Sequence, residues 1–88
     1  MQIVEKQAHQ LLSGLGGIEN VVEVEPCPTR VRVVVRSLES VDSEALHIPG
    51  VFGIVMSGHV VQIVAGSVSD DIAFHMQQNI DSVFEMTN

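Results

Sequence analysis

Apolar residues recur at helical spacing from the third position: Ile3, Val4, Ala8, Leu11, Leu12 and Leu15, with Gln2, Glu5, Lys6, His9 and Gln10 on the other side. Such a stripe predicts an amphipathic helix over 3–13. Ser13-Gly14-Leu15-Gly16-Gly17 ends it, because glycine tolerates the left-handed backbone of a helix C-terminus. The period then changes to two. Val22 and Val24 alternate with Glu23 and Glu25, predicting a strand over 20–25. Pro26 and Pro28 bracket Cys27 in a turn, each fixing its own φ and lacking an N–H. Residues 30–36 predict the partner strand, with Val31, Val33 and Val35 on the buried face and Arg30, Arg32 and Arg36 on the other. In an antiparallel pair, Glu23 and Glu25 would lie opposite the arginines. That pairing would account for Arg36 fully, and less well for Arg30 and Arg32, which lie nearest the turn.

Ser37 to Ser40 form a connection. Asp42 or Ser43 can cap a short helix carrying Glu44, Ala45 and Leu46, ended by His47-Ile48-Pro49-Gly50. Residues 51–56 and 60–65 read as two strands around Ser57-Gly58-His59, a hairpin signal. Gly66 closes the second of them. Asp70 and Asp71 suit the start of a last helix, whose apolar stripe is Ile72, Ala73, Met76, Ile80, Val83 and Phe84. Met86-Thr87-Asn88 is expected to fray. The order is α-β-β-α-β-β-α. The expected architecture is one α+β domain over 1–88, a two-layer sandwich with a four-stranded antiparallel sheet and its helices on one face.

Eighty-eight residues, 45% of them hydrophobic, suffice for one core. With three Phe, no Tyr and no Trp, that core is aliphatic. The net charge of −7 argues against a general nucleic-acid or anionic-membrane surface. Against that background, three of the four basic residues fall between Arg30 and Arg36. A single cysteine excludes an internal disulfide and a cysteine-based metal cage, and it fits a reducing compartment. The first ten residues hold Glu5, Lys6 and His9, so no secretory leader is expected. No segment approaches the about 20 apolar residues that span a bilayer.

The chemistry concentrates in Glu25-Pro26-Cys27-Pro28-Thr29-Arg30-Val31-Arg32. A cysteine attacks as its thiolate, which positive neighbours favour. A guanidinium offers phosphate a planar fork of donors. One thiol with two guanidiniums at alternate positions thus points to a cysteine that carries a phosphoryl group. Two plainer readings stand beside it: a lone cysteine is often a small buried hydrophobe, and strand arginines are often a solvated face. The four histidines (His9, His47, His59, His75) are scattered without an i, i+4 pair, so no metal site is expected. Asp70 and Asp71 read as helix capping rather than an acid pair. Gln62 is the polar residue inside the last strand run and reads as its solvent-facing position.

The chain resembles the enzyme IIB domains of the bacterial phosphoenolpyruvate-dependent sugar phosphotransferase system, in the glucose, N-acetylglucosamine and β-glucoside group. The family's phosphorylation motif, a cysteine followed by x-T-R-L-R, is matched by C-P-T-R-V-R at Cys27 to Arg32. The family's L-G-G-x-x-N-[IV] is matched at Leu15 to Val21, and its V-Q-x-[IV]-x-G at Val61 to Gly66. The resemblance covers about residues 3–84. Pro28, which removes an N–H just after the cysteine, and Val31 in place of Leu are the departures.

The resemblance implies that Cys27 takes a phosphoryl group from a phosphohistidine on a IIA partner. It would pass the group to a sugar held by the membrane-embedded IIC partner. Arg30 and Arg32 would stabilise the phosphoryl charge, with Thr29 and Arg30 binding the phosphate. No cofactor or metal is implied. The implied state is a cytoplasmic monomer that docks at the cytoplasmic face of the inner membrane. Two other readings remain: a non-catalytic regulatory or binding module on the same fold, and a thiol redox sensor, which would need a resolving thiol from elsewhere.

Overall fold

A computed structural model describes residues 3–87. Gln2, placed on the polar side of the first helix, and Asn88, at the end expected to fray, lie outside the described residues. The elements are α1 (Ile3–Gly14), β1 (Val21–Pro26), β2 (Arg30–Val35), β3 (Gly53–Ser57), β4 (Val60–Val64) and α2 (Ser69–Thr87). The strands form one antiparallel sheet in the order β1-β2-β4-β3. The helices pack against each other and over one face of it, giving the expected two-layer α+β sandwich.

The alternating valines explain the layering. Val31, Val33 and Val35 of β2 and Val61 and Ile63 of β4 are buried against Ala8, Leu11, Leu12 and Leu15 and against Ile72, Ala73, Met76 and Ile80. β2 and β4 therefore commit alternate side chains to the core and leave the others on an open face.

Three expectations are corrected. First, Val22 is not a core position. The β1/β2 register shifts between Val21 and Glu23, so Val21 pairs with Val35 and is buried while Val22 is 54% exposed. A bulge adds one residue and turns it outward. Second, the short central helix is a hydrogen-bonded turn. Asp42 caps it as expected, its carboxylate accepting from the N–H groups of Glu44 and Ala45. Only i→i−3 bonds follow, Leu46 to Ser43 and His47 to Glu44. So few residues before Pro49 do not repay helix nucleation. Third, Val83 and Phe84 continue the α2 stripe but are exposed, lining a groove with Ile18, Val21 and Arg36. The helix itself continues through Thr87 rather than fraying at Met86.

Asn20 ties the two loops at one end of the sheet together. Its amide donates to the carbonyls of Leu15 (2.7 Å) and Ser37 (3.0 Å), and its side-chain oxygen accepts from the N–H of Ser37 (3.0 Å). Gly16 makes room for this: at φ +102°, a Cβ there would lie 2.9 Å from the Asn20 amide. The Leu-Gly-Gly-x-x-Asn run is thus a structural clasp.

Candidate functional site

Cys27 lies at the tip of the β1–β2 hairpin, at the end of the sheet opposite Asn20. The register pairs Glu25 with Arg32 and Pro26 with Val31. The N–H of Cys27 continues it by donating to the carbonyl of Arg30 (2.9 Å), so the cysteine stands opposite that arginine. Pro28 and Thr29 form the two-residue tip. No non-glycine residue has positive φ, so the primed turns and type II, which require it at one of these positions, are excluded. Cys27 is a half-buried free thiol, and Thr29 is exposed. Among the described residues the N–H of Thr29 meets no acceptor and stays open to an incoming anion.

The tip is tied to the strand beyond. The carbonyl of Thr29 accepts from the N–H groups of Ala65 (3.2 Å) and Gly66 (2.9 Å). Gly66 has φ +69°, a conformation suited to glycine. The ring of Phe52, 78% exposed, lies against it.

The three arginines of the open face have different partners. Arg30 lies opposite Val64 and reaches diagonally to Gln62, its Nη1 donating to Oε1 at 2.7 Å in a part-buried bond. Arg32 lies between Glu25 and Gln62 in the register and donates to the Glu25 carboxylate at 3.3 Å. Arg36 donates through Nε to the backbone carbonyl of Glu19 (2.9 Å). Cross-strand ion pairing therefore accounts for Arg32, not for Arg36. The physical reason is the register: Glu23 lies opposite Val34, and Arg36 has passed the last paired residue of β1.

Cys27, Arg30 and Arg32 thus come together at one corner of the open face, with Thr29 at the tip. Sequence reasoning missed two residues that hold them. Gln62 was read as a plain solvent-facing position, whereas it orients Arg30. Gly66 was read as a strand end, whereas its N–H fastens the Thr29 turn. Their signal was present in the Val-Gln-Ile-Val-Ala-Gly run, whose glutamine holds Arg30 and whose glycine, with Ala65, holds the Thr29 carbonyl.

The histidines stay apart from this corner in the hydrogen bonds they make. His59 meets the Val35 carbonyl (3.1 Å), and His47 meets the Ser43 carbonyl (2.8 Å). Among the described residues no group of three or more His, Cys, Asp or Glu is placed to hold a metal ion. No described helix is long and apolar enough to cross a membrane. A groove of about 450 Å³ lies between β1 and α2, walled by Val24, Pro26, Asp70, Ala73, Phe74 and Gln77; Cys27 is not among its walls. The thiol is half-buried in a hairpin turn whose Pro28 and Thr29 are exposed, a geometry suited to contact by another protein.

A family model described as "phosphotransferase system, EIIB" matches residues 9–42. The chain is 38% identical over 71 residues to the N-acetylglucosamine-specific EIIB component of the phosphotransferase system of Streptomyces coelicolor, covering 81% of this chain and 92% of that protein. It is 36% identical over 77 residues to the glucose-specific EIICBA component of Streptococcus pneumoniae, covering 86% of this chain but 11% of that larger protein. Among solved structures, one domain of the phosphotransferase-system IIabc component from Clostridium difficile superposes with a TM-score of 0.76 at 22% identity, covering 89% of this chain and 82% of that one. That likeness shows the fold.

Proposed function

The chain belongs to the EIIB family of the phosphotransferase system, the B component of sugar-specific systems, and we propose that Cys27 is its phosphoryl carrier. The donor is a phosphohistidine on an EIIA partner, and the acceptor is a sugar hydroxyl held by a membrane-embedded EIIC partner. Relatives that join B with C and A units in one chain, such as the EIICBA component, support both partners. The work is done by a monomer at the cytoplasmic face of the inner membrane, through brief docking.

The steps balance as two displacements at phosphorus. In the first, the Cys27 thiolate attacks, the S–P bond forms and the P–N bond breaks. The imidazole keeps the electron pair. In the second, the sugar oxygen attacks, the S–P bond breaks and Cys27 leaves as thiolate. The hydroxyl proton passes to solvent or a base on the partner. Such transfers depend mostly on positioning and on stabilising charge at the phosphoryl oxygens. Arg30 supplies that charge. The open N–H of Thr29 adds a donor, which matters because Pro28 has none. Arg32 is the next residue on the same face, two register positions further along.

The observation that carries this reading is Arg30. It lies opposite Cys27 and is held by the neutral Gln62, so its charge is oriented yet not cancelled by that partner. A solvated surface arginine needs no such holder. The test is sugar phosphorylation with membranes carrying EIIC and a phosphorylated EIIA protein. Wild type is expected to sustain it, and Cys27→Ser to abolish it while keeping the same thermal unfolding. A normal rate in Cys27→Ser sinks the carrier.

A further inference from the structure

The two arginines beside Cys27 are held by acceptors of opposite kind. Arg30 donates to an uncharged amide oxygen, which leaves its charge uncancelled by that partner. Arg32 donates to a carboxylate, and the two charges cancel locally. Glu25 lies opposite Arg32 and two residues before Cys27, on the strand parity that the cysteine continues. The pair is at the surface, with side-chain exposures of 39% for Arg32 and 53% for Glu25. Water and salt screen such a pair, so it is weakly held. A phosphoryl group on Cys27 brings close to two negative charges and three acceptor oxygens to the neighbouring position. Guanidinium binds that geometry by two parallel bonds.

We infer that Glu25 is a positioning residue that competes with the phosphoryl group for Arg32, and so sets how readily the site gives up its cargo. The inference rests on Cys27 being the carrier. While the thiol is free, Glu25 holds Arg32 beside the turn. When Cys27 is loaded, Arg32 must leave Glu25 to reach the phosphoryl oxygens, and an unpaired carboxylate remains near the new charge. Both consequences raise the free energy of the loaded state. A carrier needs that, because a phosphoryl group held too well is not passed on. Glu25 forms and breaks no bond in the transfer; it acts on where one guanidinium rests. Arg30 stays outside this competition because Gln62 carries no charge.

The test equilibrates the whole chain with a phosphorylated EIIA protein and reads the loaded fraction by intact mass, for wild type, Glu25→Gln and Glu25→Asp. Glu25→Gln is expected to shift the equilibrium toward loaded Cys27 by about two- to fivefold, the scale of an exposed ion pair. Glu25→Asp keeps the carboxylate and stays near wild type. Thermal unfolding is alike in all three, which separates the effect from a structural one. In wild type the guanidinium ¹⁵N resonance of Arg32 moves when Cys27 is loaded. In unloaded Glu25→Gln that resonance already differs from wild type. An unchanged equilibrium in Glu25→Gln, or an Arg32 resonance that ignores loading, overturns the role of Glu25 and leaves the carrier intact. A wild-type chain that takes up no phosphoryl group overturns both.

Discussion

On one face of β2, Val31, Val33 and Val35 are sealed beneath the helical layer. On the other, Arg30 and Arg32 are held at the surface by Gln62 and Glu25. The backbone is the same and the side chains differ by one position. The covered face gains its free energy from apolar area removed from water, so any well-packed aliphatic serves there. The open face gains little stability, since an exposed ion pair is worth about 1 kcal/mol or less and one part-buried hydrogen bond about 1 kcal/mol. What it gains is orientation of charge near the Cys27 thiol. With Cys27 as the proposed carrier, substitutions on the two faces are expected to fail in different assays.

That contrast is sharpest at Arg30→Lys. Lysine keeps the charge but loses the planar fork, so transfer to sugar is expected to fall about a hundredfold. The unfolding midpoint in urea is expected to stay where it was. A parallel loss of stability would erase the distinction between faces. On the covered side, Val33→Ala opens a void at a fully buried position and should cost about 2 kcal/mol of folding free energy. The molecules that remain folded should still transfer at the wild-type rate per folded chain. A smaller effect is expected at Gln62→Ala. It frees Arg30 without removing it, so transfer should drop about tenfold with stability within about 1 kcal/mol of wild type. The smallest effect belongs to Arg36→Gln. Arg36 shares the open face but is tied to the Glu19 carbonyl at the far end. Its replacement should leave transfer unchanged, and a clear loss would mean that the whole face, not the corner near Cys27, carries the function.

The two faces were also unequally legible in the sequence. The Val-x-Val-x-Val alternation of β2 names its buried face directly, because a two-residue period has one physical cause. The Cys27 turn was equally plain, since Pro26 and Pro28 cannot continue a helix and favour a turn around the cysteine. Val22 misled the reading, because a bulge inserts a residue without any mark in a run of valines and glutamates. Residues 42–46 carried a good cap in Asp42 and a good helix former in Leu46, but not enough length. The partners on the open face were the least legible. Gln62 reaches Arg30 from 32 positions away, and only the β2/β4 register makes them neighbours. The same holds for Arg32 and Arg36. Which of them meets a glutamate depends on where β1 pairing stops, and local sequence does not state that.

The most direct test of Cys27 as the carrier is intact-mass spectrometry near neutral or mildly basic pH. The chain would be incubated with phosphoenolpyruvate, enzyme I, the histidine carrier protein and an EIIA protein. The account predicts a labile gain of one phosphoryl group in wild type and none in Cys27→Ser. Wild type that gains no mass with any of several EIIA donors, or Cys27→Ser that gains the same mass, contradicts it. The first of those outcomes would identify the domain as a binding module, with Pro28 the first residue to replace.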